Sequence, residues 1–315
     1  MPAAPVATAE TAGPANHLVL WVFFISGLVS LALEIIWFRM LAVFLRPTAY
    51  AFTIMLACVL AGIAIGSAIA APILRMKRNW LALLTVIQGA IGIAAVLSFN
   101  ALTRSQQAID TATPWFERLG LNTYLAPIVA SSAIAMLPTT ILLGVAFPIG
   151  LTLWAGDSAN EDTTRKVGVF YSLNVFGAIV GSVLAGFVLL PQLGSKSSLM
   201  VVSALATLSA ILLALSMRRS NPSMAVTLAV VSPMLFLMAA RLAVDPFDIA
   251  FERFHRGETL LWRQEGAQTT VAVHEREGIR RCGSCSSTAI TRRTIPRGRH
   301  SSTTVLVPER SPARG

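Results

Sequence analysis

The sequence predicts an all-α multi-pass membrane bundle of about seven transmembrane helices, with a candidate inverted 3+3 repeat, followed by a short β fragment and a disordered tail. Three observations predict it. Hydrophobic residues make up 55% of the chain and charged residues only 13%, at a mean hydropathy of +0.68, whereas a soluble domain carries about 25% charged residues. Seven stretches approach the roughly 20 apolar residues that a helix needs to cross lipid. Charge is crowded toward the end: residues 1–240 hold 12 basic and 7 acidic residues, while 241–315 hold 13 and 8.

Residues 1–17, "MPAAPVATAETAGPANH", contain no Lys or Arg, so they lack the basic segment of a signal peptide and read as a disordered lead-in. The transmembrane domain covers 18–240. Its spans are Leu18–Leu45, Ala49–Leu74, Trp80–Phe99, Leu125–Trp154, Val167–Leu190, Leu199–Met217 and Met224–Ala240. Pro138 and Pro148 predict a kink or break in the fourth. Residues 100–124 read as a polar loop with a short interfacial helix around "TPWFERL".

Basic residues orient the bundle. Arg75, Lys77, Arg78, Arg165, Lys166, Arg218 and Arg219 lie in alternate loops; Arg104, Arg118 and Lys196 lie in the others. The N-terminus is therefore expected in the cytoplasm of a multi-pass protein of the cell membrane. Arg39 and Arg46 weaken the contrast without reversing it. This placement absorbs the net charge of +10 and argues against nucleic acid as a partner; the expected partner is the lipid bilayer. Seven crossings leave residue 241 onward outside, unless the last span, which contains Pro233, stops short.

Span two contains Gly62-x-x-x-Gly66-Ser67 and span five Gly177-x-x-x-Gly181-Ser182, an offset of 115 residues. Related halves of three spans each would be inverted, as in many transporters. The alternative is that the motif recurs wherever membrane helices approach closely, which also makes small-residue faces candidates for a homo-oligomer. Glu34 and Arg39 are the ionisable residues of span one, and such groups cost about 2.5–3.5 kcal/mol on insertion scales. Glu34 lies about 25 Å along its span. The favoured reading is therefore snorkelling beside an interfacial Trp37. Asn174 is a candidate for an interhelical hydrogen bond. No span carries a proton relay, and His17, His255, His274 and His300 all lie outside the spans, so no catalytic, cofactor-binding or metal residue is assigned. Cys282 and Cys285 form a C-x-x-C without the further ligands of a zinc site or the βαβ context of a redox site.

Four strings, "SGLVSLALEIIWFRML", "AYAFTIMLACVLAGIAIGS", "LPTTILLGVAFPI" and "VGVFYSLNVFGAIVGSVLAGFVLLPQLG", together resemble the membrane portion of membrane-bound spermidine synthase-like proteins. Leu33 stands where that family has Tyr, and Arg46-Pro47 where it often has Gly-Ser. The resemblance spans about residues 18–281. It implies a bundle ahead of a soluble aminopropyltransferase domain, in which intact relatives move an aminopropyl group from decarboxylated S-adenosylmethionine to a polyamine such as putrescine. "LLWRQEGAQTTVAVHEREGIRR" resembles the opening strand pair of that family's small β-domain, and the β-branched "TTVAV" between glycines agrees. Residues 241–281 are thus read as an incomplete β-domain. No G-x-G-x-x-G follows a strand and no acidic catalytic residue of the family is recognisable, so the chain is expected to lack transferase activity and to hold no cofactor.

Residues 282–315 have no apolar period and are expected to be disordered. A frame shifted to begin in the third base of the Cys282 codon permits the string RVLFLDGNHQAND. It contains the Asp-Gly and Gln-Ala that the family places here, so the tail is expected to be out of frame and the chain truncated or frameshifted before the catalytic domain. The competing reading of the whole chain is a transporter-like bundle for a small solute or a polyamine.

Overall fold

A computed structural model describes residues 14–45, 49–76, 79–118, 120, 125–156, 161–245, 247–248, 251, 258–265, 270–276 and 279–284. The helices are α1 (Pro14–Leu45), α2 (Ala49–Ile73), α3 (Trp80–Arg118), α4 (Leu125–Ala155), α5 (Glu161–Leu184), α6 (Leu190–Ser216) and α7 (Pro222–Leu242). A π-helical turn, Ala185–Leu189, joins α5 to α6. Among the described residues, six helical segments are long and apolar enough to cross a membrane: His17–Ala42, Phe52–Ile73, Trp80–Arg104, Val129–Ala155, Thr163–Arg219 and Pro222–Leu242. Where the sequence predicts spans five and six, there is one segment of 57 residues.

That difference has a local cause. Pro191 lacks an N–H, and its ring would strike the carbonyl four residues back in a regular helix. The wider turn sits just ahead of it, with the Leu190 N–H donating to the Ala185 carbonyl. Residues 191–198, which the sequence reads as a loop, are therefore helical on either side of one break. The helical path breaks at one residue, Gly194, with φ 75° and ψ 173°. Only glycine populates that region freely.

Directions follow from side-by-side contacts. Gly62 lies against Thr140 and Gly66 against Ile141 and Gly144, so α2 and α4 run the same way. Gly177 meets Phe24, Gly181 meets Leu28 and Phe23 packs on Phe170, so α1 and α5 also run together. Gly92 meets Ser203 and Thr207, Gly89 meets Ala210, and Thr85 touches Met217, so α3 and α6 are antiparallel. Ser232 lies beside Gly89, and Leu242 beside Asn100, so α7 runs alongside α3. Phe38 of α1 packs edge-on against Phe52 of α2. The chain turns inside α6, at Gly194, where the helical path breaks.

Other boundaries also differ from expectation. Residues 14–17 are helical, with Pro14 opening α1, where a missing N–H costs nothing. Helix α3 runs unbroken to Arg118 through Pro114, so the described part of 100–124 is largely helix. Helix α4 is also continuous through Pro138 and Pro148. Pro148 withdraws the donor owed to the Gly144 carbonyl, and the Ser67 hydroxyl donates to that carbonyl at 3.2 Å.

The core lies among α1, α3, α4 and α6, around Phe23, Leu33, Ile36, Ile91, Phe99, Met136 and Leu199. Most of the outward side of α7, including Met234, Leu237 and Met238, is exposed and apolar. After α7, three antiparallel strands form a meander in the order β1 (Thr259–Glu265), β2 (Thr270–Arg276), β3 (Ile279–Ser284). A register shift at Leu260/Trp262 marks a bulge in β1. β3 runs through Cys282 to Ser284, past Arg281, where the family resemblance ends. Residues 285–315, including Cys285, lie outside the described residues, as does the tail expectation built on them.

Candidate functional site

Sequence reasoning singles out four glycines, and each is buried at a helix crossing. A Cβ on Gly66 would overlap the Ile141 carbonyl, and one on Gly177 or Gly181 would overlap the Phe24 or Leu28 carbonyl. A Cβ on Gly62 would overlap the Thr140 side chain. These residues let backbones approach within the chain, the role that small residues have where helices pack without a hydrophobic driving force. Self-association through small faces would have to use others, such as Gly168 and Gly186, which have nothing within 4 Å of a Cβ.

In span one, Trp37 is 3% exposed, and its indole N–H donates to Ser98 Oγ of α3 at 2.9 Å. The Ser98 hydroxyl in turn donates to the Ala95 carbonyl at 2.7 Å. Arg39 is 7% exposed and engaged within the protein. Glu34 is half-buried on the same helix. Asn174 lies at the α1–α5 crossing, where a Cβ on Gly27 would overlap the Asn174 carbonyl and approach its Oδ1. Asn174 thus serves the α1–α5 crossing through its backbone carbonyl as well as its side chain.

The interior polar residues were the ones missed. Among the described residues, buried polar side chains concentrate on α3 (Thr85, Gln88, Ser98, Asn100, Thr103) and α6 (Ser195, Ser198, Ser203, Thr207, Ser209), with more on α4 (Ser131, Ser132, Thr139, Thr140). Many hydroxyls donate to their own helix: Thr85 to the Leu81 carbonyl, Ser198 to Gly194, Thr207 to Ser203. Gln88 is 2% exposed, and its Nε2 has no partner; nor have Ser203 Oγ, Ser132 Oγ and Thr139 Oγ1. An unpaired buried amide is costly, so its persistence calls for a reason. The only signal in the sequence was a lone Gln inside span three.

Asn100 joins the bundle to the segment after α7. Its Nδ2 donates to the Leu242 carbonyl at 2.9 Å, and its Oδ1 accepts from the Val244 N–H at 2.9 Å, so one amide closes the end of α7. Beyond it, Phe247 and Phe251 stack at 6.3 Å over Ala272 of β2. Among the described residues, no group of three His, Cys, Asp or Glu could hold a metal ion. Comparison of the chain with protein-family models, with curated proteins and with solved structures finds no match.

Proposed function

We propose that this chain is the membrane domain of a spermidine synthase-like aminopropyltransferase, carrying the opening strands of the enzyme's small β-domain on its last helix. The observation that carries the reading is the antiparallel meander from Thr259 to Ser284, which comes after α7 where the resemblance implies a strand pair. The residues that would bind decarboxylated S-adenosylmethionine and a polyamine are not recognisable in the chain, so by itself it has no transferase activity. Turnover of putrescine by the purified chain would sink that part of the proposal. An in-frame catalytic domain beyond one insertion or deletion, read from the nucleotides around codons 275–310, would support the out-of-frame tail.

The proposal includes seven crossings with a cytoplasmic N-terminus. The break in the helix at Gly194 supports counting α5 and α6 as two crossings. The run of α7 beside α3, from Ser232 near Gly89 to Leu242 near Asn100, supports a complete last crossing.

A second reading, a transporter-like bundle of two inverted three-helix halves, is favoured by a specific observation. Adding 115 to a residue of α1–α3 gives its counterpart in α4–α6. This exchange carries the pair Gly62/Thr140 to Gly177/Ile25, and the observed neighbour of Gly177 is Phe24. It also turns the antiparallel α3–α6 contact onto itself, since Gly92 corresponds to Thr207, which it touches. Uptake of labelled spermidine into proteoliposomes, lost in Glu34→Gln, would favour a cationic solute for this bundle.

A further inference from the structure

The α3–α6 contact holds more than packing. Thr85, Gln88, Gly92 and Thr103 follow one helical face, i, i+3, i+7 and i+18. From Thr85 to Thr103 that face covers about 27 Å at 1.5 Å per residue, close to the roughly 30 Å of a hydrocarbon core. Opposite Gly92 stand Ser203 and Thr207 of α6. Gln88, whose Nε2 has no partner, and Ser203, whose Oγ has none, are counterparts under the 115-residue exchange and lie about one turn either side of the Gly92–Thr207 contact. Val96 and Phe99, both buried on the same face, close it toward Thr103.

We infer that this face of α3, with Ser203 and Thr207 of α6, is the path and binding site for a small uncharged solute rich in hydroxyl or amide groups. The inference rests on the transporter-like reading and names its substrate class. Three features select that class. The face offers an amide and hydroxyls, which exchange hydrogen bonds with a neutral solute as they would with water. Among the described residues, the buried polar side chains of α3 and α6 include no acid or base, so nothing there compensates the desolvation of an ion. The two unsatisfied groups sit on opposite sides of the tightest contact, where inverted halves would each present one to its own side of the membrane.

The test uses the full-length protein in liposomes and glycerol as the probe, followed by stopped-flow light scattering. Wild type should re-swell several-fold faster than empty liposomes. Gln88→Leu and Ser203→Ala should each lose most of that excess, while the Gln88→Leu midpoint of thermal unfolding stays level or rises, because an unpaired amide is replaced by an apolar group. Glycerol flux unchanged in both variants overturns the site. A Gln88→Leu protein that unfolds at lower temperature with unchanged flux makes the amide a structural bond and also overturns it. Spermidine uptake without glycerol flux leaves the transporter-like reading standing and removes this substrate class. Wild type that carries neither solute removes both.

Discussion

A methyl group placed on Gly66 or Gly177 has nowhere to go, because the atom it would meet is a carbonyl oxygen of the facing helix. Gly66→Ala and Gly177→Ala are expected to destabilise the bundle by about 1–3 kcal/mol each, the range for overpacking a close contact. Gly168→Ala is the control: it has open space, and alanine gains up to about 1 kcal/mol over glycine within a helix. Unfolding titrations in mixed micelles should separate the two groups; equal effects would mean that the crossings are looser than these contacts require. The G-x-x-x-G spacing makes these four glycines legible in the sequence as packing residues. Their partners are not legible, since Gly66 and Ile141 are 75 positions apart. Asn100 belongs to the same scale. Asn100→Ala leaves the Leu242 carbonyl and the Val244 N–H without their bonds, at about 1–3 kcal/mol for unsatisfied groups. Hydrogen exchange should then rise at 242–245 and remain unchanged in the middle of α3.

Inside α6 the chain turns at Gly194 without a loop. A proline, a π turn and one glycine do what the polar residues of 191–198 were expected to do as an irregular connection. Gly194→Ala forces a side chain into a backbone region that essentially only glycine occupies, a strain of about 1–3 kcal/mol. The expected outcome is a lower unfolding midpoint, with Ser197→Cys as an unaffected neighbour, since Ser197 is exposed and helical. If Gly194→Ala is neutral, the turn lies elsewhere. Helix α3 shows the opposite error. The charges after Phe99 suggested a loop, yet 39 residues form one helix. Its apolar part ends near Arg104, and the hydrogen-bonded backbone simply continues past it. Hydropathy reports where a helix can be buried in lipid, not where its hydrogen bonds stop.

The arrangement of the whole molecule makes a sidedness prediction. On a background without native cysteines, Gly156→Cys and Ser220→Cys should react with an impermeant thiol reagent from one face of the membrane, and Ser197→Cys and Val244→Cys from the other. Val244→Cys reacting together with Ser220→Cys would mean that α7 does not cross. The order and apolar character of the helices were legible because a run of some 20 apolar residues has few alternatives to being a buried helix, and that is a property of neighbours along the chain. The strand after Gly266 was legible for a similar local reason, in its β-branched run. Tertiary packing alone settled which helices touch. It buried Trp37 and Arg39 against other helices and put Gln88 and Ser203 on either side of the α3–α6 contact. Each of those outcomes depends on residues from about 60 to 115 positions away, and neither hydropathy nor spacing within one helix carries information over such a distance.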